Sequence, residues 1–272
     1  MKKLIFYSMI LGFLLVGCTK NKSAFIEDFE TMPSKKIWKR EIVDSSRAII
    51  KNEFGKSGNS IELILLPQDG KGKDNKKFRA EIHLSEINDP KTYHVYYQWS
   101  FYIPKNQKID ENNLHRQTII AQIHSKPKPG NNWNDYKKTN PFNRPSIALG
   151  LTKEEDGIYV NLKYGLNGKK NTKYAHLKWK EIARLKIKRG EWYDVLFEVN
   201  FSLNDDGYIS AKINQEPFTP FNGTDYKVYG ANMHNESSNY FKFGLYRYWK
   251  NSSKQSVFLD QFKMWENIEG VE

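Results

Sequence analysis

The chain has 272 residues, 39% of them hydrophobic, enough to bury the core of one large domain. It carries 43 Lys and Arg against 31 Asp and Glu, a formal net charge of +12, which argues against a basic partner and for an acidic one. A single cysteine excludes an intramolecular disulfide, so stability must come from packing.

Lys2 and Lys3 precede an apolar run from Leu4 to Val16, followed by Gly17 and Cys18. A basic start, a short apolar stretch and small residues before a cut site read as an export signal over residues 1–17. The run is short for a membrane-spanning helix. Leu15-Val16-Gly17-Cys18 resembles a bacterial lipobox, which implies lipidation of Cys18. The alternative is an ordinary signal with an incidental cysteine. Residues 18–26 are then a tether, and residues 27–272 one domain. The expected location is the bacterial envelope, with the protein exported and lipid-anchored at the outer membrane, periplasmic or surface-facing. There the expected acidic partner is an anionic polysaccharide and not nucleic acid, although a generally basic surface would carry the same charge. A monomer is expected.

Strand-like runs fall at 61–67, 78–84, 94–103, 116–125, 146–152, 158–164, 192–201, 208–214, 240–249 and 257–265. Turn signals separate several of them, such as Glu155-Asp156-Gly157 and Asn204-Asp205-Asp206-Gly207. Aromatic residues make up 14% of the chain and favour strands. Ile158, Val160, Leu162 and Tyr164 share one face, as do Val195, Phe197, Val199 and Phe201. Many short, evenly spaced strands predict an all-β sandwich or barrel. A short helix is expected only at 178–185. The stretch 126–145 is rich in Pro, Asn and Lys and reads as a long loop, either a plain surface loop or a binding one. Trp133, Tyr136, Lys137, Lys138 and Arg144 within it are candidate sugar contacts.

Three strands concentrate polar chemistry: FRAEIHL at 78–84, IIAQIHS at 119–125 and YFKFGLYRYW at 240–249. Residues two apart on a strand share a face. Arg79 and Glu81 therefore go together, as do Gln122 and His124. Tyr240, Lys242, Gly244 and Tyr246 also share a face, over Phe241, Phe243 and Leu245 beneath. His83 is assigned to the face opposite Glu81 and to a structural role. Side by side, these strands would offer a guanidinium for a carboxylate, a neutral amide, and an imidazole and a phenol for proton exchange. A phenol titrating near 10 is a poor base unless cations lower it, and Lys242 and Arg79 are the expected cations. Plainer readings stay open for each: an Arg79–Glu81 ion pair, a solvated Gln122/His124 strand, a solvent-facing Lys242, a wet rim at Tyr246. No His, Cys, Asp or Glu cluster has a metal-ligand spacing, and neither a phosphate-binding glycine loop nor a G-x-S-x-G turn occurs.

The trio RAE, QIH and YFKFGLY resembles the signature strands of the β-jelly-roll polysaccharide lyases. KFGLYRYW is nearer the heparin lyase I and glucuronan lyase branch than the related alginate lyases, and the hairpin RGEWYDVLFEVNFS with DDGYISAKINQEPF is similar to that branch too. The likeness spans about 78–265. It implies a concanavalin A-like jelly roll of two antiparallel sheets with a concave cleft, and cleavage of a uronic-acid polysaccharide by β-elimination. The polymer could be glucuronan-, heparin- or alginate-like. By motif, Arg79 and Gln122 would hold the uronate carboxylate. His124 would help neutralise it or take the C5 proton, and Tyr246 would protonate the leaving oxygen or do both jobs. Lys242, Glu81, Tyr240, Trp133 and Arg144 would bind substrate. Ala80 and Arg247 depart from the alginate pattern and leave the sugar undefined. No cofactor is implied beyond the structural calcium some relatives use, and no Asp-rich loop here calls for it. The alternative is a non-catalytic carbohydrate-binding lipoprotein on the same fold. A retaining glycoside hydrolase ranks below both, because no strand carries its alternating acids.

Overall fold

The structure is a computed structural model that describes residues 25–71, 77–85, 93–108, 114–128, 130–134, 145–167, 177–250 and 252–266. Cys18, Tyr136, Lys137, Lys138 and Arg144 lie outside them. In chain order the strands are β1 (Phe25–Glu27), β2 (Trp38–Glu41), β3 (Ala48–Lys51), β4 (Ser60–Leu65), β5 (Gly70–Lys71), β6 (Lys77–Leu84), β7 (His94–Tyr102), β8 (Gln117–His124) and β9 (Ile147–Glu154). There follow β10 (Gly157–Asn167), β11 (Leu177–Ile187), β12 (Trp192–Asn200), β13 (Tyr208–Ile213), β14 (Glu216–Pro217), β15 (Val228–Tyr229), β16 (Tyr240–Arg247) and β17 (Gln255–Glu266). All ten runs expected from the sequence are present, each as a strand within two or three residues of its expected ends.

Two antiparallel sheets form a sandwich. One runs β14-β13-β12-β7-β17-β4-β3, with β1 on β17 and β15 on β13. The other runs β11-β10-β9-β8-β16-β6-β2, with β5 on β6. Sequence-distant strands are neighbours throughout, as a jelly roll requires: β16 lies between β8 and β6, more than a hundred residues away from both. Between the sheets, Phe241, Phe243 and Leu245 of β16 face Tyr97, Trp99 and Phe101 of β7, all at most 1% exposed. Tyr97 and Phe241 stack with centroids 5.0 Å apart, and Trp38 packs 5.0 Å from Phe243 and 5.1 Å from Phe262. Each buried ring of this kind contributes about 1.5–3 kcal/mol. This apolar underside fixes the register of β16 and so points its alternate residues outward.

The helix expected at 178–185 is instead part of β11. Glu181 and Arg184, three apart, look like helix neighbours in sequence. A bulge opposite Leu162 and Lys163 leaves Ile182 as an extra residue and brings the pair onto one side, where Arg184 Nε meets Glu181 at 2.6 Å. β11 is an edge strand, and its exposed charges oppose further pairing.

Gly244 sits mid-strand in β16 at φ +133, a conformation few side-chain-bearing residues adopt. A Cβ there would collide with the Ala80 carbonyl and come within 2.8 Å of Glu81 Cα and 2.9 Å of Leu63 Cδ1. Gly244→Ala should therefore cost about 3 kcal/mol of stability, read as a fall in denaturation midpoint. An unchanged midpoint would show that the strand adapts.

Candidate active site

β16 is the spine of the site. On one side its Tyr240 and Lys242 pair with His124 and Gln122 of β8; on the other its Lys242, Gly244 and Tyr246 pair with His83, Glu81 and Arg79 of β6. β2 adds a further row, with Glu41 opposite Glu81 and Lys39 opposite His83. Cross-strand partners share a face. Arg79, Glu81, Gln122, His124, Tyr240, Lys242 and Tyr246 therefore all stand on the outer face of the eight-stranded sheet, as expected.

Glu81 is the pivot. It is 1% exposed, accepts a hydrogen bond from the Gln122 amide across β16, and lies 3.0 Å from Arg79 Nε. Lys242, only 2% exposed, places Nζ 3.2 Å from both Glu41 oxygens and 3.9 Å from Glu81. Arg79 Nη1 donates to Glu41. The Arg79–Glu81 pair is thus real, but it is one edge of a network of two cations and two carboxylates.

Several expectations change. Lys242 is buried and doubly paired, not a solvent-facing charge. Glu81, expected among the substrate contacts, is instead buried, with its oxygens turned to the Gln122 amide and Arg79 Nε. His83 is on the same face as Glu81, because positions 79, 81 and 83 have one parity. Its Nε2 lies 3.6 Å from Glu41, and its Nδ1 donates to the Leu84 carbonyl at 2.9 Å. Arg247 points to the opposite side, where it is 1% exposed between the rings of Phe78 (4.9 Å) and Trp249 (4.8 Å). Burial pushes its guanidinium down to about 10, with Asp69 opposing. This departure from the alginate pattern therefore sits beneath the sheet, away from the site. The sequence reading missed Glu41 entirely.

Tyr246 also differs from expectation. Its ring lies 4.7 Å from the Arg79 guanidinium and edge-on to Tyr248 at 5.4 Å. Burial pushes its phenol well above the usual value, a hydrogen bond with Tyr248 adds to this, and Arg79 opposes it without prevailing. The cations do not make it a ready base; it is a phenol that keeps its proton. Burial likewise lowers His83, so its ring is neutral at neutral pH. For Glu41 burial acts upward, but Lys242 and Arg79 outweigh it and hold the carboxyl below its usual range.

His124 stands at the far end of the row from Tyr246, with Lys242 and Gln122 between them in register. The Ser125 carbonyl, 2.8 Å from Nδ1, can only accept, so Nδ1 carries the proton and Nε2 is the basic nitrogen. Around it, Tyr240 lies 5.8 Å and Trp133 6.3 Å away, centroid to centroid. A pocket of about 250 Å³ opens beside them, lined by Lys39, Glu41, His83, Lys126, Trp133 and Tyr240. Trp133, 42% exposed, also borders a second hollow of about 470 Å³ with Lys126, Lys128 and Glu236. Among the described residues, no group of three or more His, Cys, Asp or Glu side chains could hold a metal ion.

Two stacked antiparallel sheets, with a charged row and two hollows on one outer face, define a jelly-roll sandwich. The polysaccharide lyase family model matches residues 28–263, and the chain belongs to that family. It is a polysaccharide lyase. No curated protein sequence gives a match. Among solved structures, the chain is similar to the endo-β-1,4-glucuronan lyase of the fungus Trichoderma reesei, at 12% identity and TM-score 0.60, covering 89% of this chain and 95% of that one. It is similar to the family 7 alginate lyase A1-II′ at 14% identity and TM-score 0.54, covering 90% and 99%. Alginate lyase Aly36B matches at 12% identity and TM-score 0.54, covering 86% and 88%. These likenesses bear out the two-sheet jelly roll expected from the signature strands.

Proposed function

We propose that the protein cleaves a uronic-acid polysaccharide by β-elimination, and that it does so tethered to the bacterial envelope through a lipidated Cys18. The observation that carries the activity is the convergence of Arg79, Lys242 and Gln122 around carboxylates on one sheet face, one strand pair from a phenol that holds its proton.

Breaking a glycosidic bond this way means removing the weakly acidic C5 hydrogen of a uronate and expelling the oxygen at C4. The carboxylate beside C5 must be neutralised or hydrogen-bonded so that the enolate charge is tolerated. Arg79 and Lys242 supply that charge, and Glu81 holds Arg79 and Gln122 in place. Tyr246, in register with Arg79, passes its proton to the departing oxygen as it takes the one from C5, so the phenol is regenerated and no water is needed. His124, six residues of β16 away in register, helps neutralise a uronate carboxylate. Lys39, Lys126, Trp133 and Tyr240 hold neighbouring sugar units by charge and by stacking. That the neighbours in the fold include a glucuronan lyase and alginate lyases supports a uronate substrate and leaves the particular sugar open.

Incubation with glucuronan, alginate and heparin should give, with at least one of them, unsaturated products that absorb in the near ultraviolet. Affinity for a glycan with no such product would favour a carbohydrate-binding lipoprotein instead. The anchor is tested separately: Cys18→Ser should abolish incorporation of a labelled fatty acid by cells expressing the full chain.

A further inference from the structure

We propose that Glu41 is the resident counterion of the carboxylate-binding cations, and that a uronate takes its place with uptake of one proton by the Glu41–His83 pair. This rests on the proposed uronate substrate and adds the group that sets when the site accepts it.

The charges are balanced before any ligand arrives. Arg79 and Lys242 are matched by Glu41 and Glu81 within 3.9 Å. Of the other groups facing Glu41, His83 on β6 is neutral, Gln122 on β8 is uncharged, and Tyr240 and Tyr246 on β16 are phenols; the further positive charges, on Lys39 and Lys126, stand at the pocket wall outside this four-membered cluster. Lys39, on β2 itself, and Lys126 line the pocket beside Glu41, and His124 lies beyond Tyr240. A uronate carboxylate entering between Arg79 and Lys242 would place three anions on two cations in a half-buried site. Like charges so close do not all stay ionised.

One of the three must yield, and the geometry selects which. Glu81 is 1% exposed and locked by Gln122 and Arg79. Glu41 is 27% exposed and is the last residue of β2, the strand that ends the sheet. It can turn away from Arg79 and Lys242 without moving the core. His83 waits on its other side with Nδ1 already committed to the Leu84 carbonyl, so Nε2 is the nitrogen facing Glu41. A proton taken from solvent and shared between that nitrogen and the displaced carboxyl restores neutrality. No bond other than N–H or O–H forms in this step.

Calorimetry with the Tyr246→Phe protein, chosen because its turnover is expected to be slow, and a short saturated uronate oligosaccharide tests this. Titrations at pH 7.5 in buffers of different ionisation heat should give an uptake near one proton per site. Affinity should weaken as the pH rises above 7, by at most tenfold per pH unit, the limit for one linked proton. Adding Glu41→Gln should remove both the uptake and the slope and leave binding tighter at pH 9. Binding without proton uptake, or a Glu41→Gln protein with the same uptake and slope, would overturn the proposal while sparing the proposed function. Failure of every uronate to bind would remove both.

Discussion

Replacing Tyr246 with phenylalanine is expected to lower turnover on the uronate polymer about 10³-fold, the range for loss of a positioned general acid. Binding should weaken by less than about tenfold, since only one hydroxyl is lost. The reason lies in where the phenol sits. Burial and the Tyr248 hydrogen bond keep it protonated, and Arg79 above the ring opposes them too weakly to release the proton. A group whose titration is raised stays in its acid form until the pH exceeds the ordinary phenol value. Turnover should therefore show no loss from this residue below about pH 10, and should fall only above that as the donor proton goes. Initial rates of near-ultraviolet product and oligosaccharide affinity, measured on both proteins, separate the two effects. A variant retaining more than about a tenth of the rate would remove Tyr246 from proton transfer.

Most of this face was legible in the sequence because strand geometry has a period of two. FRAEIHL and YFKFGLYR alternate core and polar positions, and the structure buries Phe78, Ala80, Ile82, Phe241, Phe243 and Leu245 as that alternation demands. His83 was misassigned only through a parity error. Arg247 was harder, since its strand parity puts it underneath, where a charge is not expected; two aromatic rings accommodate it there. Glu41 carried no usable signal. Trp38-Lys39-Arg40-Glu41 is a four-residue edge strand with one buried residue, too short for a pattern. Its importance comes from pairing with β6 across forty residues of chain, a tertiary fact. The same applies to β11, where the local charge spacing favours a helix and the open edge of β10 wins.

Removing the buried pivot should be felt in both stability and rate. Glu81→Ala leaves the Gln122 amide without its acceptor and takes a negative charge from between Arg79 and Lys242. Deleting one partner of a buried pair costs about 3–5 kcal/mol. Arg79 reaches partly into solvent and Lys242 keeps Glu41, so the lower end, about 3 kcal/mol, applies. For a chain of this size that is a fall in melting temperature of roughly 6–12 °C. The rate should suffer independently, because Arg79 and Gln122 lose the group that aims them, and a misplacement of about 1 Å costs on the order of 10²-fold. Glu81→Gln separates the two. It keeps an oxygen for Gln122 and fills the same space, so it should recover much of the melting temperature. It cannot hold Arg79 by charge, so kcat/KM should stay low. Equal recovery of both would mean that Glu81 acts through packing alone, and a Glu81→Ala protein as stable as the parent would show that the network does not bear on the fold.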